Sequence, residues 1–555
     1  MKKYHTSKTH KPSPHKKPAS KIATFEQCMR FAANHIVRFG DTDIFPYPIE
    51  RQVIRDEIED VVQLLTTIHK NFLDNVRDMP VESERLLQAV GYTGFRQGTQ
   101  IDPIWNTYLL GLLTHIGPDI EAARVPATKD IVFSYRFKPD QKNFAIFSKD
   151  YGWTTFQKRA VALARNFKYV LTCDISDFYP RIYHHRLENA LKKATINTQA
   201  ITQINKILSE LSRGASYGLP VGGPAARLLS ELLLNRVDRL LITRNIAFCR
   251  FVDDYHIFAH TKEEAYSSLI FLCESLLENE GLTLQKTKTR IMSAAEFLES
   301  SSFSDEGRGE DEEEVVKRNF LTLHIHYDPY SDTAADDYET LKKELRKFDI
   351  VGMLAAEMQK ARIAESLTRK LVRAIRHLSA PLRDSAISSL MDNLPTLYPI
   401  FPTVMMVVRD VLTAISSKTR IKVFAAIRTL VAQDSYLCEV PVNLAFALRV
   451  LAHDNSEETD AALMKLHGKS ASALIRRDIV LILAQHNADY WISAQLKRFS
   501  SCTTWEQRAL LVASYILEDE GEHWRRRVKT TLSPFDQLIM KWSGKRKQAG
   551  RGIEL

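Results

Sequence analysis

Two adjacent carboxylates, Asp253 and Asp254, most constrain what this 555-residue chain can fold into. They stand between short runs of β-branched and aromatic residues, 250–252 and 255–258. This pattern predicts a strand, a tight turn and a second strand, with the acids at the turn. Adjacent acids repel each other, and one natural use for them is to share divalent cations. An ordinary solvated turn is the alternative, because Asp is a common turn residue.

Three further segments frame this hairpin in the sequence. Upstream, the apolar run 169–173 ends in Asp174, and Pro180 stops any further strand. Between that acid and the hairpin lies a Gly/Pro loop, 217–225, which opens into a helix-like run. Downstream comes a Lys-Thr segment, 281–291. Four segments in this order are a much more specific sequence pattern than the acid pair alone.

The four segments resemble motifs A to D in the palm of reverse transcriptases. Two segments make the resemblance more specific. They are 174–188, which begins Asp-Ile-Ser-Asp-Phe-Tyr-Pro, and 218–229, which begins Gly-Leu-Pro-Val-Gly-Gly-Pro. Both are similar to bacterial abortive-infection and defence-associated reverse transcriptases, and the resemblance covers about residues 25–298. Phe251 opens motif C where many relatives have Tyr, which is a conservative departure.

The resemblance implies nucleotidyl transfer, which uses two divalent ions about 4 Å apart. Asp174 and Asp253 are the predicted ligands of both ions, Mg²⁺ or Mn²⁺, with Asp254 as a weaker ligand beside them. The backbone carbonyl of Ile175 is predicted to face a metal as well. One ion would lower the pKa of the primer hydroxyl, and the other would hold the triphosphate and stabilise the leaving pyrophosphate.

Residues around the acids take predicted roles from the same resemblance. Tyr179, five residues after the first acid, matches an aromatic that lies under the sugar and excludes a 2′-hydroxyl; a core aromatic is the alternative. Pro220 and Gly222 would shape the loop that touches the template and the incoming base. Lys288 matches the motif D lysine that assists the pyrophosphate, and Lys286 is the alternative register.

Two basic residues are candidates for holding the triphosphate from the fingers. Arg136 lies in the alternating run 131–137, which predicts a strand, and Lys149 follows its expected partner, 145–147. Surface charges on an exposed hairpin are the alternative for both residues.

Length and pattern predict two or more domains. The predicted fold is an α+β right-hand polymerase palm and fingers, followed by an all-α HEAT-like helical repeat domain; a compact helical bundle is the alternative. Apolar residues at helical spacing, such as Leu382, Ala386 and Leu390, support the helical part. The division is a disordered basic arm (1–24), reverse transcriptase fingers and palm (25–298), an acidic linker with a short strand (299–337), an α-helical repeat domain (338–545) and a basic tail (546–555).

Composition adds modest constraints on partners and location. A formal net charge of +9 fits a polyanionic partner, and an apolar fraction of 45% is enough for sizeable cores. The longest apolar runs are too short to predict a membrane span, and the basic N-terminus lacks the apolar core of a signal peptide. Six scattered cysteines predict reduced thiols. The expected location is therefore the cytoplasm.

The predicted function is a DNA polymerase of the reverse transcriptase kind that uses deoxynucleoside triphosphates, makes DNA and acts in antiviral defence. Three alternatives stay open: a retron or group II intron type of enzyme with an RNA template or non-coding RNA, a catalytically silent nucleic-acid-binding scaffold, and an RNA polymerase, against which Tyr179 argues. Some relatives form homo-oligomers, and some make DNA attached to themselves without a template. The candidate priming residues here are Tyr4, Tyr47, Tyr398 and Tyr436.

Overall fold

The computed structural model of the chain describes residues 24–300, 316–317, 320–321, 341 and 343–555. The predicted basic arm up to residue 23, with Tyr4, lies outside the described residues, and so does most of the predicted acidic linker. Phe320 and Leu321 are helical, so the strand expected from residue 320 is wrong at these two positions. Within the described residues the helices predominate, and every strand precedes residue 294.

The first 300 residues combine twelve helices with six strands in the described part of the chain. In chain order these are α1 (Phe25–Phe39), α2 (Glu50–Asp56), α3 (Ile58–Lys70), α4 (Phe72–Asp78), β1 (Ser83–Val90), β2 (Gly94–Ile101), α5 (Pro103–Ala123), α6 (Trp153–Ala164), β3 (Tyr169–Asp174), α7 (Phe178–Arg181), α8 (His184–Ala194), α9 (Thr198–Leu211), α10 (Pro224–Thr243), β4 (Ala247–Phe251), β5 (Asp254–Ala259), α11 (Lys262–Glu280), β6 (Arg290–Ser293) and α12 (Ala294–Ser300).

Four of the strands form one antiparallel sheet in the order β4-β5-β3-β6. The predicted hairpin around the acid pair is confirmed as β4 and β5, and β3 is confirmed as a neighbouring strand. Helix α11, which follows the hairpin, begins with a capping box between Thr261 and Glu264 and ends at Gly281. That glycine adopts a left-handed conformation with φ 70°, which explains why the helix stops there.

The alternation of strands and helices along the sequence predicts helices on one face of this sheet, but helices cover both faces. Leu171, Tyr255 and Ile257 point into the core that α10 and α11 complete. On the other face, Val170 and Phe258 pack with Phe156 of α6 and Phe297 of α12. Because cross-strand partners share a face, the partners Asp174 and Asp254 lie on the same side of the sheet as Val170 and Phe258.

The fingers differ from the sequence expectations in three respects. Apolar residues at helical spacing, among them Val53, Val61 and Leu65, predict one long helix over 50–76, but the structure divides it into α2, α3 and α4, with breaks at Glu57 and Asn71. Segment 131–137 is not a regular strand but carries isolated bridges, including one between Phe137 and Phe147. The hairpin β1–β2, which the sequence analysis missed, is the regular antiparallel pair of this region.

The C-terminal region is helical throughout its described part after residue 343. Its helices are α13 (Ile350–Met358), α14 (Glu365–Ala374), α15 (Ala380–Asp392), α16 (Phe401–Val411), α17 (Ser417–Ala432), α18 (Tyr436–Glu439), α19 (Pro441–Leu451), α20 (Glu457–Lys469), α21 (Ala473–Gln485), α22 (Asp489–Leu496), α23 (Thr504–Ala513), α24 (Glu518–Val528) and α25 (Pro534–Gln548). The helices α14, α16, α19, α21, α23 and α25 contact one another in that order, and so do α13, α15, α17 and α20.

The helical region packs directly on the fingers rather than hanging from a linker. One apolar core joins palm and fingers residues to Val480, Leu511 and Trp542 of the C-terminal helices. Fully buried Arg508 on α23 is the polar centre of this seam, and its guanidinium lies 3.4 Å from Glu50 and 2.7 Å from Asp102. It also lies 2.9 Å from Asp536 on α25, so one cation joins three acids from three parts of the chain.

No helix within these described residues combines the length and apolar character that a membrane span requires.

The buried cation of the seam can be tested by substitution. Arg508→Ala leaves Glu50, Asp102 and Asp536 buried without their cation, and breaking a buried ion network costs about 3–5 kcal/mol of unfolding free energy. Denaturant unfolding of the full chain measures this loss.

The matched control is Lys541→Ala, which removes an exposed ion pair with Asp60 across the same seam. Exposed pairs contribute little, so this variant should unfold like the wild type. Equal unfolding curves for the two variants would contradict the role assigned to Arg508.

Candidate active site

The acid pair lies at a tight turn whose backbone is strained. Val252 has a φ of 57°, a left-handed conformation that β-branched residues rarely adopt. Strain of this kind persists only where the surroundings enforce it. Here the Val252 amide donates to the Ser134 hydroxyl oxygen at 2.9 Å, and its carbonyl accepts from Arg250 at 2.7 Å. Hydrogen bonds to both the amide and the carbonyl of Val252 therefore hold the turn that presents Asp253.

A buried ion network provides that support. Arg250, fully buried on β4, donates to Glu231 at 3.0 Å and to Asp238 at 2.7 Å. Both acids lie on α10 seven residues apart, which places them on one face of the helix. Arg124 donates a second bond to Glu231, at 2.6 Å, so two buried cations balance two buried acids. The Ser134 hydroxyl also donates to Glu231, which links the network to the turn.

Strand pairing brings the predicted acids together. Asp174 at the end of β3 is the direct cross-strand partner of Asp254 at the start of β5. The amide of Ile175 donates to the carbonyl of Asp253 at 3.2 Å. The three carboxylates of Asp174, Asp253 and Asp254 thus come from strands far apart in sequence but adjacent in space, as the sequence predicted.

The electrostatics of the cluster show an excess of negative charge. Burial, followed by the charges of Asp174 and Asp254, raises the pKa of Asp253 to about 7. Burial and the charge of Asp174 likewise raise the pKa of Asp254 to about 6. Both carboxylates are therefore less stable in their ionised form than ordinary aspartates, and an added cation would relieve this.

Lys288 supplies the positive charge that the structure contains at this place. It lies on a short 3₁₀ turn, Lys286–Lys288, and its ammonium donates to the Asp174 carboxylate at 2.5 Å. The backbone next to it pairs with β3, because the Gln285 amide donates to the Asp174 carbonyl at 2.7 Å. The hydrogen bond from the Lys288 ammonium to the Asp174 carboxylate raises the pKa of Lys288 and keeps the side chain protonated.

The donor set fits divalent metal ions by its chemistry. Carboxylate oxygens are the ligands that Mg²⁺ and Mn²⁺ prefer, and the Lys288 ammonium stands in for cationic charge beside Asp174. Among the described residues, however, no three His, Cys, Asp or Glu side chains converge closely enough to form a ready-made metal centre. The assignment of Asp174, Ile175, Asp253 and Asp254 as metal ligands therefore stays a prediction.

A cavity of about 220 Å³ lies beside the predicted Gly/Pro loop. Gly222 borders it with a φ of 120°, and a Cβ there would meet Thr42 at 2.5 Å, so only glycine fits. The loop is fixed by the Asp43 amide, which donates to the Gly222 carbonyl at 3.2 Å. Pro220, two residues earlier, is buried. The cavity is lined by His35, Phe39, Gly40, Thr42, Asp43, Ala145, Ile146, Phe147, Gly222, Pro224 and Arg227.

Tyr179 lies next to the residues of this cavity. It interacts with Tyr135, Arg227 and Ser230, and burial raises the pKa of its hydroxyl, so the phenol stays neutral. The Tyr135 ring is 5.1 Å from that of Phe147 and 6.2 Å from that of Phe251 beside the acid turn. The rings of Phe147, Tyr135 and Phe251 thus form a row from the cavity to the acid turn. Tyr179 lies beside this row, next to Tyr135.

The two fingers candidates have different surroundings. Arg136 is 3% exposed, pairs with Glu121 at 3.0 Å and donates to the Val125 carbonyl at 2.8 Å. This guanidinium is bound inside the fingers, and the triphosphate role of Arg136 stays a prediction. Lys149 is exposed, and its role stays a prediction.

Arg227 is a cation at this place that the sequence analysis missed. It lines the cavity, pairs with Asp43, and its guanidinium lies 5.3 Å from the Tyr135 ring. Its position three residues after Pro224, in the first turn of the helix that follows the Gly/Pro loop, was a usable signal. Such a residue necessarily lies near whatever the loop contacts.

The chain is similar to known proteins over part of its length. A model of the family described as "Reverse transcriptase (RNA-dependent DNA polymerase)" matches residues 106–325. Protein YkfC of Escherichia coli (strain K12) is 23% identical over 164 residues, which cover 22% of this chain and 43% of that protein. The match thus spans less than half of the length of that relative.

Two solved telomerase structures also share features with the chain. The apo telomerase from Candida tropicalis has a TM-score of 0.29 at 9% identity, with 69% of this chain and 74% of that chain covered. The telomerase from Candida albicans with a fragment of telomeric RNA has a TM-score of 0.28 at 8% identity, with 79% and 68% covered. Scores this low bear on neither fold nor function here.

The raised pKa of Asp253 predicts that this residue destabilises the fold at neutral pH when no divalent cation is present. Its folded pKa of about 7 exceeds the ordinary aspartate value of 3.8, so its stability contribution is intact at low pH and is lost as pH rises through about 4 to 7. Asp253→Asn should therefore raise the unfolding free energy near pH 7 by about 1–2 kcal/mol.

Thermal unfolding in a chelator, at several pH values, measures this gain, which should vanish near pH 4. Asp177→Asn is the control, because that neighbouring acid is exposed and lies outside the carboxylate cluster. A wild type that is more stable than Asp253→Asn at neutral pH would contradict the charge excess.

Proposed function

We propose that this chain, whose residues 106–325 match the reverse transcriptase family model, is an RNA-directed DNA polymerase that adds deoxynucleotides at the cluster of Asp174, Asp253 and Asp254. The observation that carries the proposal is the cross-strand pairing of Asp174 with Asp254 beside a turn that is held in a strained conformation. Such carboxylates suit Mg²⁺ or Mn²⁺, and two such ions would activate the primer hydroxyl and neutralise the triphosphate.

Lys288 is the proposed proton donor. Its protonated ammonium is already within the cluster at 2.5 Å from Asp174. From there it can turn to a leaving pyrophosphate oxygen and transfer its proton as negative charge develops. Its side chain is 65% exposed, so it has room to change partners.

The cavity beside Gly222 is the proposed site of the incoming nucleotide. Arg227 and Gly222 line the cavity, and Arg227 offers a cation for a phosphate. The loop that contains Pro220 and Gly222 would meet the template and the base. Tyr179 lies at the edge of this space and acts in the proposal as the barrier to a 2′-hydroxyl. Arg227 takes the role that the sequence analysis had given to Arg136.

We also propose that the helices after residue 338 are HEAT-like repeats that assemble the enzyme or organise its product. The two ordered rows of contacting helices support this reading over an irregular bundle. The division into a polymerase part (25–298) and a helical part (338–545) belongs to the same proposal, with one qualification. The two parts share an apolar core and the Arg508 network.

Antiviral defence in the bacterial cytoplasm is the proposed biological role, supported by the resemblance of motifs A and B. Protein priming without a template belongs to this proposal. Of the candidate tyrosines, Tyr47 and Tyr436 are 44% and 52% exposed, whereas Tyr398 is buried and a poor primer. Tyr47 packs under Arg51, whose guanidinium lies 4.0 Å from its ring. A templated enzyme with a bound RNA is the second candidate, since the family's activity is RNA-directed.

Asp253→Asn should abolish incorporation of labelled deoxynucleotides by the full chain with Mg²⁺, because it removes a carboxylate charge and keeps the shape. Asp177→Asn is the matched control and should retain activity. Incorporation by Asp253→Asn at the level of the control would refute the assignment.

The same labelled product of the wild-type chain distinguishes the two priming mechanisms. Label that stays on the polypeptide after full denaturation supports protein priming, and label released as free DNA supports the templated alternative.

Tyr179→Ala should admit ribonucleotides, because it removes the ring that flanks the proposed sugar position. The measurement is the ratio of ribonucleotide to deoxynucleotide incorporation, which should rise by at least about tenfold, the equivalent of one lost 1.4 kcal/mol steric penalty. Tyr179→Phe keeps the ring and should leave the ratio unchanged. A ratio that does not rise in the alanine variant would mean that Tyr179 is not the barrier.

A further inference from the structure

A second groove lies on the side of the sheet opposite to the acids. It has a volume of about 740 Å³ and runs between α8 and α10, which join the core behind β3 and β5. The C-terminal end of α5, at Ala123, and that of α11, at Glu280, border it. None of the residues assigned above to catalysis or nucleotide binding lines this groove.

The charges along this groove are mainly positive and regularly placed. Helix α8 presents Arg186 and Lys193, seven residues apart and thus on one face. Helix α10 presents Arg236 and Arg239, one turn apart, towards the same space. Lys192 is the fifth cation of the lining. Two helices therefore face each other with like charges, an arrangement that costs free energy unless an anion lies between them.

Few protein groups neutralise these cations. Lys192 pairs with Glu188 at 2.6 Å, and Arg239 donates to the Ala123 carbonyl at 2.8 Å. Lys193 and Arg236 form no salt bridge with any residue that the structure describes. The two side chains are exposed to solvent, and so can contact a ligand without rearrangement of the core.

Glu280 is the acid at the end of the groove. Its side chain is buried, and burial raises its pKa to about 7, although Arg236, Arg186 and Lys193 act to lower it. Three nearby cations thus fail to make it an ordinary ionised carboxylate. At neutral pH it neutralises the groove only in part, which leaves the cations available.

We propose that this groove binds the phosphodiester backbone of a nucleic-acid strand, at a site separate from the polymerase centre. Cations from two helices match the repeated charge of such a backbone, which dominates sequence-independent affinity. The lining contains no aromatic side chain to stack on bases, since its apolar part consists of leucines and alanines. Recognition is therefore by backbone charge and independent of base sequence.

The test is binding, measured without divalent ions or nucleotides, so it does not depend on the proposed polymerase activity. Fluorescence anisotropy with a labelled single-stranded DNA and an RNA of the same sequence compares wild type with the double variant Lys193→Glu, Arg236→Glu. Affinity should fall by at least about tenfold, and the slope of log affinity against log salt should decrease by about two, one for each lost cation.

The matched control is Lys418→Glu with Lys465→Glu, which reverses two exposed cations on α17 and α20, outside the groove. It makes the same change in net charge and should keep the salt slope of the wild type. A neutral pair, Lys193→Gln with Arg236→Gln, replaces the reversed pair if the latter misfolds by circular dichroism. Equal affinity and equal slopes for groove and control variants would overturn the proposal.

Two further measurements identify the ligand and the groove. Glu280→Gln, at about pH 8 where the wild-type carboxylate is mostly ionised, should tighten strand binding, and weaker binding would argue against the groove. Inorganic tripolyphosphate at an equal concentration of phosphate should compete poorly with either strand. If it competes fully, and the groove variants lose only its binding, the site is one for small polyphosphates and the proposal fails. Preference for DNA or RNA then shows which strand occupies it.

Discussion

The buried pairing of Arg250 with Glu231 and Asp238 is the interaction on which the site depends. The turn that carries Asp253 is strained at Val252, and the sheet alone does not impose such a conformation. The side chain of Arg250 reaches back under its own hairpin to the Val252 carbonyl, while Glu231 holds the Ser134 hydroxyl that accepts from the Val252 amide. A cluster of repelling carboxylates can be kept in place only by a support that is itself rigid, and two balanced ion pairs provide it.

The carboxylate cluster and the ion network that supports it lie on opposite faces of the same strands. On β5, Asp254 lies on the side of Val170 and Phe258, and the next residue, Tyr255, faces the opposite core with Arg250 as its cross-strand partner. The alternation of side chains along a strand therefore separates the charges of the proposed catalytic cluster from the charges that hold the fold. A shift of one residue in the register of β5 would exchange the two sets.

Part of the fold and of the candidate site could be predicted from local sequence patterns. The hairpin, the strand before Asp174 and the helix stop at Gly281 follow from two-residue alternation and from turn chemistry, which sequence displays directly. The direction of the Arg136 side chain does not follow from local patterns, because its partner Glu121 lies on a helix fifteen residues earlier in the sequence. The hairpin β1–β2 was missed although Gly91 and Gly94 bracket its turn. The sequence analysis did not single out Glu231 and Asp238, because their partner Arg250 on β4 is visible only in three dimensions.

The seam at Arg508 has a consequence for how the chain is made. Glu50 and Arg508 are separated by 458 residues, so the fingers are synthesised long before the cation that neutralises their buried acids. At about 5–20 residues per second, roughly 20–90 seconds pass between the two. During that interval the acids of α2 and of the Asp102 turn must stay hydrated, and the apolar surface around them is uncovered. Exposed apolar surface of this kind favours aggregation of an unfinished chain, and the final closure is a late, long-range event that slows folding.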